Sequence, residues 1–433
     1  MPSALPAQDA APTSDAAPAA PERPGDRLTG GLLVVLALLS AIAPLATDLY
    51  LPAFPQMTSD LGATATAVQL SLTGFLLGSA VGQLAFGPLS DRFGRRGPLV
   101  LGSVLCVVAS AVTVFAPTVE VLTVGRVAQG FAGAAGMVIG RAVISDLVEG
   151  TAAAKAFSLM MIIGGVAPVV APVAGGLLAD ALGWRGILAV VLVLAVVMLV
   201  GVLAAVPETL PRSRRGSSGP RGGLRALRSR RYLGYTGAFA FGFTVLMAYI
   251  SASPFVYQSM MGVSEAVYGL LFAVNAVTIA VGSAVSARLV PAVGAHRLLG
   301  TGLAGVLVGS LAVLVLALMP VSAWWLVAPF FLVALSVGLV LGNATGLALG
   351  AVTGAAGSAS AVLGALQFGL AAVASPLVSL GGEDTALPLG LTMTAAALVA
   401  GACYLVASRS GTASSAVVTE GAAPTRASSR SSR

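Results

Sequence analysis

The chain has 433 residues, of which 57% are hydrophobic and only 9% are charged, with a formal net charge of +7 and a mean hydropathy of +0.96. Soluble proteins carry roughly a quarter charged residues, so a water-soluble globule is excluded and a polytopic membrane protein is expected. The apolar stretches are solid blocks of Ala, Val, Leu and Gly. They lack the alternation of a membrane barrel, so the spans are helices, each needing about 20 apolar residues.

Residues 1–27 are rich in Pro, Ala and Asp, a composition that predicts a disordered tail. They lack the basic start of a secretory signal, so the first span is expected to stay as an anchor. Uncharged runs then mark six spans: Leu28–Thr47, Leu61–Ser90, Gly97–Val119, Val121–Gly140 (interrupted by Arg126), Ala156–Ala179 and Gly186–Pro207. Residues 208–231 form a basic linker, with Arg212, Arg214, Arg215, Arg221, Arg225, Arg228, Arg230 and Arg231. Its Leu224–Tyr232 end reads as a short amphipathic helix for an anionic leaflet. Tyr232–Ser264 and Ala266–Ala287 give two more spans. Leu298–Gly382 is long enough for three, with breaks at Met319–Ser322 and Gly350–Gly357, and Thr385–Ser408 is the last.

The total is twelve spans, in two blocks at 28–207 and 232–408, followed by a disordered tail at 409–433. The basic linker, the Asp91 loop and the tail fall on one side. Cytoplasmic loops collect Lys and Arg, so both termini are expected in the cytoplasm. Topology accounts for the linker's arginines, and no nucleic-acid partner is expected. Cys106 and Cys403 sit inside apolar spans and read as packing residues, not a disulfide or metal pair. No metal or cofactor is expected.

Asp48 stands near the end of the first span. A charge at membrane depth costs about 2.5–3.5 kcal/mol on insertion scales, and desolvation favours the neutral form of a carboxylate. Asp48 is therefore a candidate proton carrier, or else it marks the wet outer end of the helix. Arg126 shares a side of the fourth span with Gln129, among small residues at every third or fourth position. It can face a carboxylate, hold a substrate acceptor or reach the outer interface. Arg141, Asp146, Glu149 and Lys155 are expected to cluster at the opposite end of that span. In Gly87–Arg96, Gly87 and Gly94 permit a tight turn, and Asp91, Arg92, Arg95 and Arg96 supply its charge. Asp91 suits the positive N-terminal end of another helix, with the start of the eleventh span near Ser358 the candidate. Arg95 suits Asp146. Pro168 and Pro172, which lack a backbone donor, precede Gly175 and Gly176 in the fifth span. Small residues there would let the second and the fifth to eighth helices pack closely.

The pattern Gly87-Pro-Leu-Ser-Asp91-Arg92-Phe-Gly94-Arg95-Arg96 resembles the signature loop between the second and third helices of the major facilitator superfamily. Ser286–Arg297, after the eighth span, is a weak internal repeat of it that keeps Arg288 and Gly294 but no aspartate. The Pro168–Gly176 stretch resembles the superfamily's antiporter motif ending G-P-x-x-G-G, with Ala171 in place of the first glycine. Ala46–Pro52, Pro207–Leu210, Tyr249–Val256, Gly342–Thr345 and Ala356–Ala361 resemble the Bcr/CflA group of drug–proton antiporters, so the likeness covers about residues 30–408.

The resemblance implies an all-α fold of twelve membrane helices in two six-helix bundles around a midplane site. It implies a monomer in the bacterial cytoplasmic membrane that exports compounds such as bicyclomycin, chloramphenicol-type drugs or sulfonamides in exchange for protons. Asp48 and Arg126 would couple the proton, and the Gly87–Arg96 loop with Asp146 would gate the cytoplasmic side. Some drug antiporters carry a second acid earlier in the first helix. Ser40, Ala41 and Pro44 stand there, leaving Asp48 to act alone. Tyr50, Gln69, Gln129, Tyr249, Phe255 and Asn275 are the candidate substrate pocket. The alternative is a permease or exporter for an endogenous metabolite on the same fold. An enzyme is not expected, because His, Asp, Glu and Cys do not cluster at membrane depth. The sole lysine, Lys155, has no glycine-rich phosphate loop around it, which argues against an ATP-driven pump.

Overall fold

A computed structural model describes residues 29–148, 150–212, 227–352, 356–380, 382 and 384–420. All regular elements among them are helical. In chain order they are α1 (Gly30–Asp48), a 3-10 turn (Leu51–Ala53), α2 (Phe54–Asp60), α3 (Ala65–Phe93), α4 (Arg96–Val114), α5 (Val119–Leu147) and α6 (Gly150–Ala205). These are followed by α7 (Arg230–Pro254), α8 (Glu265–Val293), α9 (Ala295–Leu318), α10 (Val327–Gly350), α11 (Ala356–Leu377) and α12 (Leu387–Glu420). Eleven helical stretches among the described residues are long and apolar enough to cross a membrane, and Val166–Ala179 in α6 is a shorter apolar one. Leu77, Val81, Leu84, Val108 and Val200 point outward, as expected where the surrounding solvent is hydrocarbon.

Local chemistry sets the helix boundaries. Thr29, Thr64, Thr118, Ser229 and Ser264 each accept a hydrogen bond from a first-turn N–H of α1, α3, α5, α7 and α8, satisfying donors that have no partner inside the helix. Gly94 and Gly294 end α3 and α8 with φ of +97° and +88°, a backbone region that a side chain disfavours. The two ends correspond in the weak internal repeat. α6 departs from helical geometry at Gly183 (φ 62°, ψ 177°), not at Pro168 or Pro172, so the fifth and sixth apolar runs are joined by a glycine break. α7 continues as a π-helix over Phe255–Met260, a rare form that is frequent at functional sites.

Three expectations are corrected. Gly87, Asp91 and Arg92 are helical, because α3 runs on to Phe93; Pro88 lies within it and only Gly94 breaks it. The turn before α4 is correspondingly shorter than Gly87–Arg96. The proposed amphipathic helix at Leu224–Tyr232 does not appear as such: residues 224–226 lie outside those described, residues 227–228 form a turn, and α7 starts at Arg230. α12 continues to Glu420, past the expected tail boundary at 409, since no proline interrupts it before Pro424.

Packing places the two regions of interest. α3 packs on α5 and on α11, and α6 packs on α1, α4 and α8. α7 packs on α10, α11 and α12, and α9 packs on α10 and α12. The first block of helices therefore meets the second along α3–α11 and α6–α8, with the Leu51–Ala53 turn resting on α7 and α8. Glycines let backbones approach where side chains would not fit. A Cβ on Gly130 would overlap the Phe75 carbonyl, one on Gly269 the Pro172 carbonyl, and one on Gly175 the Leu49 carbonyl.

Candidate functional site

Asp48 is the last residue of α1 and is 4% exposed. Pro52 stands at the start of the 3-10 turn and Pro55 at the start of α2, positions where a missing backbone N–H costs little. Directly after the carboxylate, α1 gives way to the buried Leu51–Phe54 segment. Thr47 Oγ1, with one hydrogen to share, lies 2.9 Å from Asp48 Oδ1 and 3.1 Å from the carbonyls of Ala43 and Pro44. The Tyr268 phenol of α8 is within electrostatic reach of Asp48.

Arg126 is fully buried on α5. Its Nη1 donates to Gln129 Oε1 at 2.6 Å, and Gln129 Nε2 donates to Ser110 Oγ on α4 at 2.7 Å. The guanidinium carbon lies 4.3 Å from the Tyr50 ring centre and 4.5 Å from that of Phe75, and two aromatic faces compensate a desolvated cation in part. Nε and Nη2 have no partner. Of the readings open to Arg126, a pairing with Asp48 is not formed in this structure, and full burial excludes a reach to the outer interface. The Tyr50 ring covers the guanidinium, and the Tyr50 hydroxyl bonds instead to Ser71 Oγ at 3.1 Å.

The six expected pocket residues are all buried but fall into three pairs. Tyr50 and Gln129 enclose Arg126. Gln69 and Phe255 line a small cleft with Val256, Met260 and Val378. Tyr249 and Asn275 belong to a ring cluster in the second block. There Tyr249 lies 5.0 Å from Phe330 and 6.1 Å from Phe272, and Tyr257 lies 6.0 Å from Tyr268. The Tyr249 hydroxyl sits against Tyr257 and Asn275, yet the two hydroxyls and both amide atoms of Asn275 complete no hydrogen bond. Phe54 links two of these regions, at 5.0 Å from Tyr50 and 6.1 Å from Phe255.

The two blocks are tied together at the Asp48 end of the helices. Gln258 Nε2 donates to the Pro52 carbonyl at 2.9 Å, Gln69 Nε2 to the Ser251 carbonyl at 3.0 Å, and Thr66 Oγ1 to the Ser379 carbonyl at 3.0 Å. Gly176 lies against the Glu265 carbonyl, so α6 presses on both the Asp48 segment and α8 through the Pro172–Gly176 turn.

At the opposite end Arg95 gathers a charged cluster. Its Nε donates to Asp146 Oδ2 at 2.9 Å, and its Nη1 donates to Ser90 Oγ at 2.9 Å and to Asp91. Burial pulls the Arg95 guanidinium down, but the hydrogen bonds and charges of Asp146 and Asp91 outweigh it and hold it above the ordinary arginine value. Asp91 thus pairs along its own turn; the side chain of Ser358, its expected target, lies outside the described residues. Arg92 lies over the Phe93 ring and Arg96 Nη2 donates to the Leu203 carbonyl. Arg141 does not join the cluster, since its Nε donates to the Met137 carbonyl. The side chains of Glu149 and Lys155 lie outside the described residues.

Two residues of this cluster were missed as functional. Glu208 accepts from the backbone N–H groups of Arg95 and Arg96 at 2.8 and 3.4 Å, capping the α4 N-terminus with a negative charge where the helix dipole favours one. Thr209 Oγ1 donates to Asp146 Oδ2 at 3.0 Å. The sequence signal was present: an acid after proline at the end of an uncharged run. Ser253 lies in the Tyr249–Val256 stretch already noted but was not picked out within it, and Tyr268, a lone tyrosine in an apolar helix, carries no pattern of its own.

The sequence matches the Major Facilitator Superfamily over residues 36–376. It is 35% identical over 374 residues to a Bacillus subtilis protein named an uncharacterized MFS-type transporter, YdgK, covering 85% of this chain and 93% of that one. It is 31% identical over 385 residues to a bicyclomycin resistance protein homolog of Haemophilus influenzae, covering 86% and 94%. Among solved structures, a bacterial homolog of the human lysosomal transporter Spinster, in an inward-facing and occupied conformation, superposes with a TM-score of 0.67 at 17% identity, over 87% of this chain and 96% of that one. The long apolar helices, the Arg95 cluster and this match over most of its length give one answer: the chain is a multi-pass membrane transporter of the Major Facilitator Superfamily.

Proposed function

We propose that the chain exports small-molecule drugs across the bacterial cytoplasmic membrane in exchange for protons. In this reading twelve helices form two six-helix bundles, residues 28–207 and 232–408, with both termini cytoplasmic, and the bundles rock about a central site. The similarity to a bicyclomycin resistance protein homolog supports drugs as the cargo. The observation that carries the coupling is Asp48: a buried acid at the seam between the two blocks, bonded to a threonine hydroxyl and unpaired with Arg126.

Asp48 takes a proton when its end of the molecule is open to the outside. Neutralised, it fits the closed arrangement in which Gln258, Gln69 and Thr66 bind the opposite block. With the cytoplasmic side open, the proton leaves and cargo loads. Arg126 keeps two unpartnered donor nitrogens, Nε and Nη2, between Tyr50 and Phe75, and these suit a carbonyl or other acceptor on the cargo. The Arg95 cluster breaks and re-forms as the cytoplasmic side opens and shuts.

A drug-susceptibility panel in a pump-deficient bacterial host tests the reading. The wild-type chain raises resistance to at least one compound, and Asp48→Asn removes that resistance at equal protein levels. If the wild type leaves every compound unchanged, drug export fails; if Asp48→Asn keeps full resistance, the coupling role fails.

A further inference from the structure

This inference rests on Asp48 being the proton site. We propose that Tyr268 is the positioning partner of Asp48: its single phenolic hydrogen passes between Ser253 on α7 and the Asp48 carboxylate, and so ties the protonation of α1 to the placement of α7 and α8.

The hydrogen count supports this. Ser253 Oγ lies 2.9 Å from the Ile250 carbonyl and 3.0 Å from the Tyr268 hydroxyl. Serine has one hydrogen to give, and the carbonyl can only accept it. The Tyr268 hydroxyl is then the donor to Ser253. A phenol also has one hydrogen, so Tyr268 can satisfy Ser253 or Asp48, not both. A neutral carboxyl needs that donor less than a carboxylate does, since bonds to the charged form are the stronger ones.

The scaffold brings together the chain segments that carry the two groups, with the phenol bonded to Ser253 in this arrangement. One turn of α6 has Gly175 against the Leu49 carbonyl, next to Asp48, and the Pro172 carbonyl against Gly269, next to Tyr268. The Leu51–Ala53 turn rests on α8. Tyr268 is fully buried. The groups around Asp48 leave few other donors. On α1 there is Thr47, already bonded to it. Tyr50 is turned to Ser71 of α3, and Arg126 of α5 lies behind the Tyr50 ring. The facing Pro172–Gly176 turn of α6 has no titratable side chain. The extension of α7 brings Tyr257 beside Tyr268, and α8 brings Glu265 near Gly176 through its carbonyl.

Beyond Tyr268, the uncompleted hydroxyls of Tyr257 and Tyr249 and the Asn275 amide continue the row of polar groups into the second block.

Infrared titration of the purified full chain in lipid vesicles reads this without any transported ligand. The protonated-carboxyl band absent from Asp48→Asn identifies Asp48. Loss of a hydrogen bond to the charged form strengthens proton binding, so Tyr268→Phe is expected to make Asp48 hold its proton about tenfold more tightly. Ser253→Ala frees the phenol for Asp48 and is expected to weaken proton binding, by a few-fold. Opposite displacements from two neighbouring substitutions are not what loosened packing gives. The proposal is overturned if neither variant moves the midpoint, or if both move it the same way. If Tyr268→Phe does not fold, an unmoved midpoint in Ser253→Ala overturns it. If Asp48→Asn removes no titrating band, the proton-site reading itself fails, which is a distinct result.

Discussion

Arg126 shows how a charge is kept inside a membrane protein at tolerable cost. Nη1 is answered by Gln129, the two faces by Tyr50 and Phe75, and the nitrogens Nε and Nη2 by nothing. Gln129→Leu would strand the answered group as well, and a stranded buried donor costs about 1–3 kcal/mol. Thermal unfolding in detergent is expected to fall accordingly; an unchanged midpoint would mean that another group takes over. Arg126→Lys keeps the charge but loses the planar fork that stacks on both rings. Transport is expected to drop about tenfold or more, the size of a lost desolvated cation–π pair, and efflux assays at matched expression check this. Sequence alone singled out Asp48, Arg126 and Gln129, because a charge in an apolar run is conspicuous. It did not reveal that Tyr50 stands between Arg126 and Asp48, since a ring's orientation leaves no trace in spacing. Tyr268 was invisible for a related reason: its bond to Ser253 joins two helices that are apart in the sequence.

Among the elements, α6 and the end of α3 carry the most consequence. The Pro172–Gly176 turn works by absence of side chains rather than by its prolines, as the helix breaks at Gly183. Gly175→Val is expected to push the Leu49 segment away, at the 1–3 kcal/mol typical of overpacking, and to abolish transport while leaving the chain in the membrane. Normal transport by that variant would contradict the close contact. At the other end, Glu208→Gln keeps the shape but loses the negative charge at the α4 N-terminus. Caps are worth about 0.5–2 kcal/mol, so a modest loss of thermal stability is expected; no change would show that the dipole is satisfied elsewhere. The helices themselves were legible because a membrane span is written in composition. Their ends were less so. α3 runs through Asp91, and α5 runs through Asp146 to Leu147, because charges at a membrane surface cost little and do not stop a helix. Only a backbone that needs Gly94 does.

On the scale of the whole molecule, the two blocks touch through α3–α11 and α6–α8, and the polar ties between them lie at the Asp48 end. A short bis-thiol cross-linker between Thr66→Cys and Ser379→Cys, placed where the Thr66 hydroxyl donates to the Ser379 backbone carbonyl at 3.0 Å and carrying a reducible bond, is expected to lock that end shut. Cross-linking should stop transport and reduction restore it, and transport that survives complete cross-linking would contradict a rocking mechanism. The central claim is that Asp48 links cargo to the proton gradient. It is tested most directly in vesicles under an imposed pH gradient, with uptake of a compound to which the chain confers resistance as the readout. The account predicts uphill uptake by the wild type and only downhill equilibration by Asp48→Asn. Uphill accumulation by Asp48→Asn would contradict it.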